Sequence, residues 1–350
     1  DASGNLATFT DATAKATTFQ YDLPGRMTKF FLPANPTVAQ VTNVYDTLER
    51  VQTQTSALGK VSTFYFAGSR TEELAPLSRR TVSYLNGFGK VTKTISPTGK
   101  VTTNTYDGQT RLVKTMLPEG NSVEYEYDDA PCAAQQRCTH NVKTLRQVAK
   151  PGSGLAALTQ GFTYESSFNK VATSTDARGK VTSYSYTAQG LPLAVTSPAD
   201  AAGVQPVTTF GYTAYTAAGF PAFYLQTSVS QKTSATNTVL STTAYNAANK
   251  YVPQTVVADA GTGKLNLSTT LTFDAVGNPT VADGPRTDVT DTVTNVYDAA
   301  RRVTQSTNAL GKITRLAYDA DGRLIRSAAQ IGTQWLVSCR SYSASGKLLK

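Results

Sequence analysis

A short unit that recurs along the chain is the feature that most constrains its fold. The unit begins with an aromatic residue, usually a Tyr followed by Asp, and the aromatics lie 21 residues apart from Tyr106 to Tyr127 and from Tyr297 to Tyr318. Periods of about 20–50 residues mark architectures in which each repeat packs on its neighbours. The sequence therefore predicts one repetitive array. The clearest unit starts are Tyr21-Asp22, Tyr45-Asp46, Tyr106-Asp107, Phe273-Asp274, Tyr297-Asp298 and Tyr318-Asp319.

Two further positions are fixed inside the unit. A basic residue lies five places after the aromatic, and a Gly precedes it directly at Gly25 and Gly322. A second Gly lies seven places before the next aromatic. The basic residues are Arg26, Arg50, Arg111, Lys250, Arg302, Arg323 and Lys347. The second glycines include Gly59, Gly120, Gly179 and Gly311, and Gly179 precedes Tyr186.

Glycines that separate short runs of Thr, Val and Tyr are typical of hairpin turns, because Gly adopts positive φ without a Cβ clash. The chain has 55 Thr and 18 Tyr, residue types that suit strands. Each unit is therefore predicted to form two strands and two turns, with Gly120 and Gly311 at positive φ. Ala14 stands where one unit would have this Gly. Asp residues recur with the period, so a turn role is favoured for them.

The array is expected to be single, to span residues 1–350 and to be truncated at both ends, because both ends fall inside a unit. Two segments, 128–163 and 187–244, break the rhythm, and we interpret them as irregular or degenerate repeats within the same array. The apolar runs are too short for a membrane-spanning helix, which needs about 18 residues or more.

Few residues could support metal or redox chemistry. Cys132, Cys138 and His140, the only histidine, lie close together in sequence. A local disulfide between Cys132 and Cys138, a pair of reduced thiols and a metal site that recruits a fourth ligand all remain open. Cys339 follows an apolar run that contains Trp335, and it is predicted to be a small core residue.

No motif for nucleophilic or nucleotide chemistry occurs in the sequence. Asp319 to Gly322 resembles the start of a calcium loop, but Gln330 occupies the position where that loop needs a carboxylate. Two carboxylates could still meet from distant strands in a glycosidase site. We predict a protein that is not an enzyme and that uses no cofactor.

The net charge of +9 suggests an anionic partner. The basic residues are distributed one per turn, however, and only Arg79-Arg80 and Arg301-Arg302 are adjacent pairs. This pattern argues against specific nucleic-acid binding. It predicts ladders of contacts between the recurring basic residues and the recurring Asp or Tyr.

The repeated motif resembles the YD repeats of Rhs proteins. Tyr318-Asp319-Ala320-Asp321-Gly322-Arg323-Leu324 is a close match, and the resemblance covers nearly the whole chain, most clearly 1–127 and 265–350. It implies an all-β fold, a repetitive antiparallel β-hairpin array that spirals into a shell-like sheet, as in bacterial Rhs toxins, Tc-toxin cocoons and teneurins. The Asp-Pro-x-Gly-Leu-like segment that ends many toxin shells is missing.

The resemblance implies a non-enzymatic, structural segment of a bacterial polymorphic toxin, in which the shell encapsulates a C-terminal toxin. The expected partners are the remainder of the parent chain and its cargo, and the expected location is secreted or at the cell surface. The alternative is a surface or wall-associated adhesion module that binds cell-envelope glycans or proteins, and open strand edges would also permit self-association.

Overall fold

The structure, a computed structural model, describes residues 1–128, 139–216, 219–234, 236–246, 251–344 and 346–350. Within these residues the chain forms 28 strands of one β-sheet and no α-helix. Neighbouring strands pair antiparallel, as β1 does with β2 and β27 with β28. The prediction of an all-β array of antiparallel hairpins is confirmed. Nothing in the described part of the chain forms a helix suited to crossing a membrane.

The strands are β1 Thr8–Thr10, β2 Ala16–Leu23, β3 Arg26–Phe31, β4 Val41–Tyr45, β5 Val51–Ser56, β6 Val61–Ala67, β7 Arg70–Ala75, β8 Arg79–Leu85, β9 Val91–Ile95, β10 Val101–Tyr106, β11 Leu112–Met116, β12 Ser122–Tyr127, β13 Val142–Val148, β14 Leu158–Tyr164, β15 Val171–Thr175, β16 Val181–Tyr186, β17 Pro192–Thr196, β18 Val207–Tyr215, β19 Phe223–Lys232, β20 Thr238–Asn246, β21 Val252–Ala258, β22 Leu267–Phe273, β23 Pro279–Asp283, β24 Val293–Tyr297, β25 Val303–Thr307, β26 Ile313–Tyr318, β27 Leu324–Ile331 and β28 Gln334–Cys339.

Two compact units divide these residues. The first comprises Asp1–Thr81, Ala244–Val256 and Leu267–Lys350, and the second comprises Val82–Thr243 and Val257–Asn266. In the first unit, β1 to β7 pair in chain order, and so do β22 to β28. In the second unit, β9 to β19 pair in the same way. The single array over 1–350, with its irregular segments, stays a prediction.

Many of the hairpin turns share one five-residue geometry, in which the first side chain accepts hydrogen bonds from the backbone. In the turn from Asp107 to Arg111, Asp107 Oδ1 accepts from the N–H groups of Gln109 and Arg111, both at 2.9 Å. The Thr110 N–H donates back to the Asp107 carbonyl at 3.0 Å. Short polar side chains suit this place because they satisfy turn N–H groups that the strands leave free. The same place is taken by Asp11, Asp46, Asn86, Asp176, Thr187, Asp274, Asp298 and Asn308.

The fourth residue of each turn takes a left-handed backbone conformation. Gly120 and Gly311 have φ of 86° and 70°. Ala14, which the repeat alignment placed at a Gly position, has φ of 60°, and Thr110 has φ of 63°. The turn geometry therefore sets the backbone conformation, and Gly is the residue that adopts it with least strain.

A β-bulge precedes the aromatic residue in each regular repeat. Thr105 pairs with Lys114 and Tyr106 with Leu112, so Val113 is an extra residue on the opposite strand. A bulge bends the strand and changes the direction of nearby side chains. The register shifts in the same way at Tyr21, Tyr45, Tyr127, Tyr164, Tyr186, Phe273, Tyr297 and Tyr318.

The sheet has almost no hydrophobic core. In the described residues only Val82 and Ala328 are buried apolar side chains. Cys339, predicted to lie in a core, is exposed, and so is the whole of β28 with Trp335. That prediction was wrong because an apolar strand is buried only where a second layer covers it, and β28 packs beside β27 without such cover.

We predict that Gly311→Val lowers the free energy of unfolding by about 1–2 kcal/mol, because a β-branched residue is strained at positive φ. A Cβ at position 311 would meet no atom within 4 Å, so the effect would report backbone strain alone. Denaturant unfolding measures it. Ala14→Gly is the matched control and should stabilise the chain. Equal unfolding midpoints for all three proteins would show that these turns do not impose the strain.

Candidate functional site: the ladder between repeats

The recurring tyrosine connects each repeat to an earlier strand through its hydroxyl group. Tyr106 Oη donates a hydrogen bond of 2.9 Å to the carbonyl of Val91. Equivalent bonds are made by Tyr21, Tyr45, Tyr106, Tyr127, Tyr164, Tyr186, Tyr297, Tyr318 and Tyr342, with the carbonyls of Leu6, Met27, Val91, Leu112, Val142, Val171, Pro279, Val303 and Leu324 respectively.

Most of the acceptor carbonyls lie at β-bulges. Leu112, which accepts from Tyr127, is the residue that pairs with Tyr106 where the register shifts. Val303 likewise accepts from Tyr318 and pairs with Tyr297. A bulge locally interrupts the regular hydrogen-bonded pairing of two strands. The bulges at Leu112 and Val303 therefore each contact two consecutive tyrosines, one by strand pairing and one by a side-chain hydrogen bond.

The basic residue five places after the aromatic joins two repeats. Arg323 Nε donates to Asp319 Oδ2 of its own repeat at 2.8 Å, and its guanidinium lies 4.8 Å from the centre of the Tyr342 ring in the next repeat. Charge-assisted hydrogen bonds and cation–π contacts both stabilise such an arrangement. We call this series the Asp–Arg–aromatic ladder. Its other members are Asp22–Arg26–Tyr45, Asp46–Arg50–Phe66, Asp107–Arg111–Tyr127 and Asp298–Arg302–Tyr318.

The guanidinium groups also lie beside the next turn. A Cβ added at Gly322 would lie 3.5 Å from Arg302 Nη1, and one at Gly346 would lie 3.9 Å from Arg323 Nη1. Arg111 is buried and additionally donates to the Thr139 carbonyl. The ladder therefore binds backbone as well as side chains of the following repeat.

Hydrogen bonds from Arg26 and Arg50 lower the pKa values of two ladder aspartates. The side-chain bond from Arg26 is the largest cause for the pKa of Asp22, and that from Arg50 for the pKa of Asp46, which both lie below the ordinary 3.8. Burial raises the pKa of the Tyr127 hydroxyl above 10.0, which keeps it protonated and able to donate.

Some repeats depart from the pattern. Lys170, six places after Tyr164, takes the place of the Arg and lies 5.3 Å from the centre of the Tyr186 ring. Asn278 takes the basic position after Phe273 and donates to Asp274 Oδ2 at 2.7 Å, so this repeat has no cation to place over Tyr297. The repeat that begins at Phe273 therefore lacks the charge of the ladder.

Most of the repeat-defining residues that the sequence identified lie in the ladder or its turns. The tyrosines, aspartates and arginines occupy the positions described above, and Gly25, Gly179 and Gly322 have φ of 76°, 76° and 82°. Cys132 and Cys138, the proposed disulfide pair, lie outside the described residues. His140 Nδ1 lies 3.2 Å from Thr139 Oγ1.

Sequence reasoning did not identify the acceptor carbonyls or the asparagines that support them. Asn104 Nδ2 donates to the Val91 carbonyl at 3.0 Å, the same oxygen that accepts from Tyr106, and Asn43 donates to Met27 in the equivalent place. The available signal was the apolar residue that follows each basic residue, because the backbone carbonyl of that residue accepts the tyrosine hydrogen bond. The spacing of side chains in the sequence does not reveal which backbone carbonyl will accept a side-chain hydrogen bond.

We predict that Arg111→Ala destabilises the chain by roughly 2–3 kcal/mol, because it removes charge-assisted hydrogen bonds and a cation–π contact together. Thermal and denaturant unfolding measure the loss. Arg178→Ala is the matched control, since Arg178 is largely exposed and pairs with Asp176 two positions earlier in the same turn. A similar, small effect for both variants would contradict a stabilising ladder.

We also predict that acid weakens the fold. Because the folded pKa values of Asp22 and Asp46 lie below 3.8, their contribution is present above that value and is lost as pH falls through the folded values. The free energy of unfolding should decline between about pH 5 and pH 2. Asp46→Asn should show a shallower decline, since Asn fills the same turn place at Asn86 and Asn308 without titrating. Identical pH profiles would exclude this linkage.

Two solved structures resemble this chain in architecture. A crystal structure of TcdB2-TccC3-Cdc42 is 13% identical over 96% of this chain and 20% of that chain, with a TM-score of 0.66. A crystal structure of TcdB2-TccC3 is 14% identical over 89% of this chain and 18% of that chain, with a TM-score of 0.61. The chain thus spans about a fifth of the length of these structures. At this identity the likeness concerns the fold.

The curated proteins contain no match to this chain. The sequence model of the teneurin YD-shell family, in contrast, matches residues 1–337. That range includes all the strands from β1 to β27. The predicted resemblance to YD-repeat proteins is confirmed, and the chain belongs to the teneurin YD-shell family.

Proposed function

We propose that this chain forms part of the wall of a shell that encloses a toxin lying C-terminal to it. The family is a structural shell domain. The observation that carries the proposal is the combination of a sheet with almost no buried apolar residues among those described and a ladder that joins successive repeats. Such a sheet can extend as a wall because each repeat is held by its neighbours rather than by a central core.

The proposed role is not enzymatic. The recurring Asp, Arg and Tyr side chains are engaged with one another, as Asp319, Arg323 and Tyr342 are. Their recurrence with the repeat is accounted for by structure. The proposed partners are the remainder of a parent Rhs-type chain and its cargo, and the proposed location is outside the cell that makes it, secreted or at the cell surface.

A second role, as a surface module that binds glycans or proteins, is favoured by one observation. Trp335 and its neighbours on β28 are exposed, beside the basic side chains of Arg315 and Arg326. Exposed aromatic and basic residues that lie together are typical of recognition surfaces.

Protease protection tests the first role. We predict that, in the complete gene product, a segment that follows residue 350 resists a protease that digests the same segment expressed alone. Loosening the ladder with Arg111→Ala and Arg323→Ala should make the segment accessible, because the wall then opens between repeats. The rate of cleavage, followed by mass spectrometry, is the measurement.

Arg178→Ala serves as the control and should protect the segment as the unmodified protein does, since Arg178 is largely exposed. Cleavage of the segment in the unmodified gene product as fast as in the isolated segment would exclude encapsulation. A reading frame with no such segment would exclude it as well.

A further inference from the structure

A cleft on the last three strands of the first unit is not explained by the ladder. It has a volume of about 400 Å³, within the roughly 300–1,000 Å³ that is typical of small-molecule sites. Strands β26, β27 and β28 supply its walls. The lining residues are Arg315, Leu316, Ala317, Arg326, Ala328 and Trp335.

The register of the strands explains why there is space between the two arginines. Arg315 pairs with Ala328, and Arg326 pairs with Ala317, so a small residue lies directly opposite each long one. Ala328 is only 6% exposed and forms the floor. Because side chains that are paired across strands share a face of the sheet, both guanidinium groups border the same cleft.

The charge of the cleft is uncompensated. Its described lining contains two guanidinium groups and no carboxylate. The ladder arginines, in contrast, each pair with an aspartate, as Arg302 does with Asp298 and Arg323 with Asp319. A guanidinium group can bind a carboxylate through two parallel hydrogen bonds. Two unpaired guanidinium groups around a small space therefore favour an oxyanion.

Trp335 supplies an apolar surface next to this charge. It is 38% exposed, and the Arg315 guanidinium lies 4.9 Å from the centre of its ring. An exposed indole packs well against a flat apolar surface such as the C–H face of a sugar ring. Single-stranded nucleic acid is a poorer fit, because it stacks successive bases on several aromatics and the described lining has one.

We infer that the cleft binds an acidic sugar, a uronate unit of a polysaccharide, with its carboxylate on Arg315 and Arg326 and its ring against Trp335. The inference deepens the second proposed role and gives it a substrate class. Its failure would leave the shell role untouched, since none of these residues belongs to the ladder.

Tryptophan fluorescence tests the inference directly, because Trp335 is the only Trp in the chain. Titration of the full chain with trigalacturonate at constant ionic strength should give a saturable change, and neutral galactotriose should give none. Arg326→Ala should weaken binding about tenfold or more, and Arg326→Lys should weaken it less. Arg79→Ala, which removes one exposed positive charge elsewhere in the unit, should leave binding unchanged.

Thermal unfolding of each variant distinguishes lost binding from lost folding. Arg326→Ala with an unchanged melting temperature and unchanged binding would overturn the inference. Equal binding of galactotriose would also overturn it, and so would equally tight binding of inorganic phosphate, which would indicate an unselective anion site. Tighter binding of oligothymidylate would assign the cleft to nucleic acid instead.

Discussion

The hydrogen bond from each repeat tyrosine to a carbonyl at a β-bulge is the interaction on which the rest of this structure depends. This β-sheet cannot rely on a hydrophobic core, because Val82 and Ala328 are the only buried apolar side chains among the described residues. It needs contacts that lie within the sheet and recur with every repeat. The bulge provides a polar backbone oxygen, and Tyr127 or Tyr318 reaches it from the next repeat at 2.8 or 2.9 Å. The arginine then covers the same ring and binds the preceding aspartate. Each such set of contacts therefore joins a turn, a bulge and an aromatic ring from neighbouring repeats.

Stability in such a molecule is approximately a sum of local terms between neighbouring repeats. Losing one of these sets of contacts weakens the interface between two repeats and leaves the other interfaces intact. The repeat that begins at Phe273 shows what such a loss looks like, since Asn278 keeps the bond to Asp274 but provides no charge for the next ring. Proteins with one shared hydrophobic core respond differently, because a cavity in that core affects all the elements around it.

Much of this organisation could be predicted from the sequence, and the reasons for the exceptions are physical. The period predicted the strands and turns, and the placement of Ala14 at a glycine position agrees with its φ of 60°. The bulges and their carbonyls could not be predicted, because a shift in register changes backbone pairing without changing the spacing of side chains. The prediction for Cys339 was wrong because apolar composition indicates a strand, whereas burial depends on what lies above it.

The turns do more than reverse the chain, as the non-glycine turn residue Arg301 indicates. Its φ of 63° is strained for a side chain, and its guanidinium lies 3.6 Å from Asp11, 290 positions earlier in the chain. A second pair of turns in the same unit meets where Asp321 accepts from the Leu58 N–H at 3.3 Å and lies 3.8 Å from Lys60. Early and late turns of this unit are therefore brought together by side chains. An aspartate whose place in the repeat needs only local hydrogen bonds can thus also hold a distant turn, and the left-handed turn position, which Ala14 and Thr110 also occupy, can carry a side chain that reaches it.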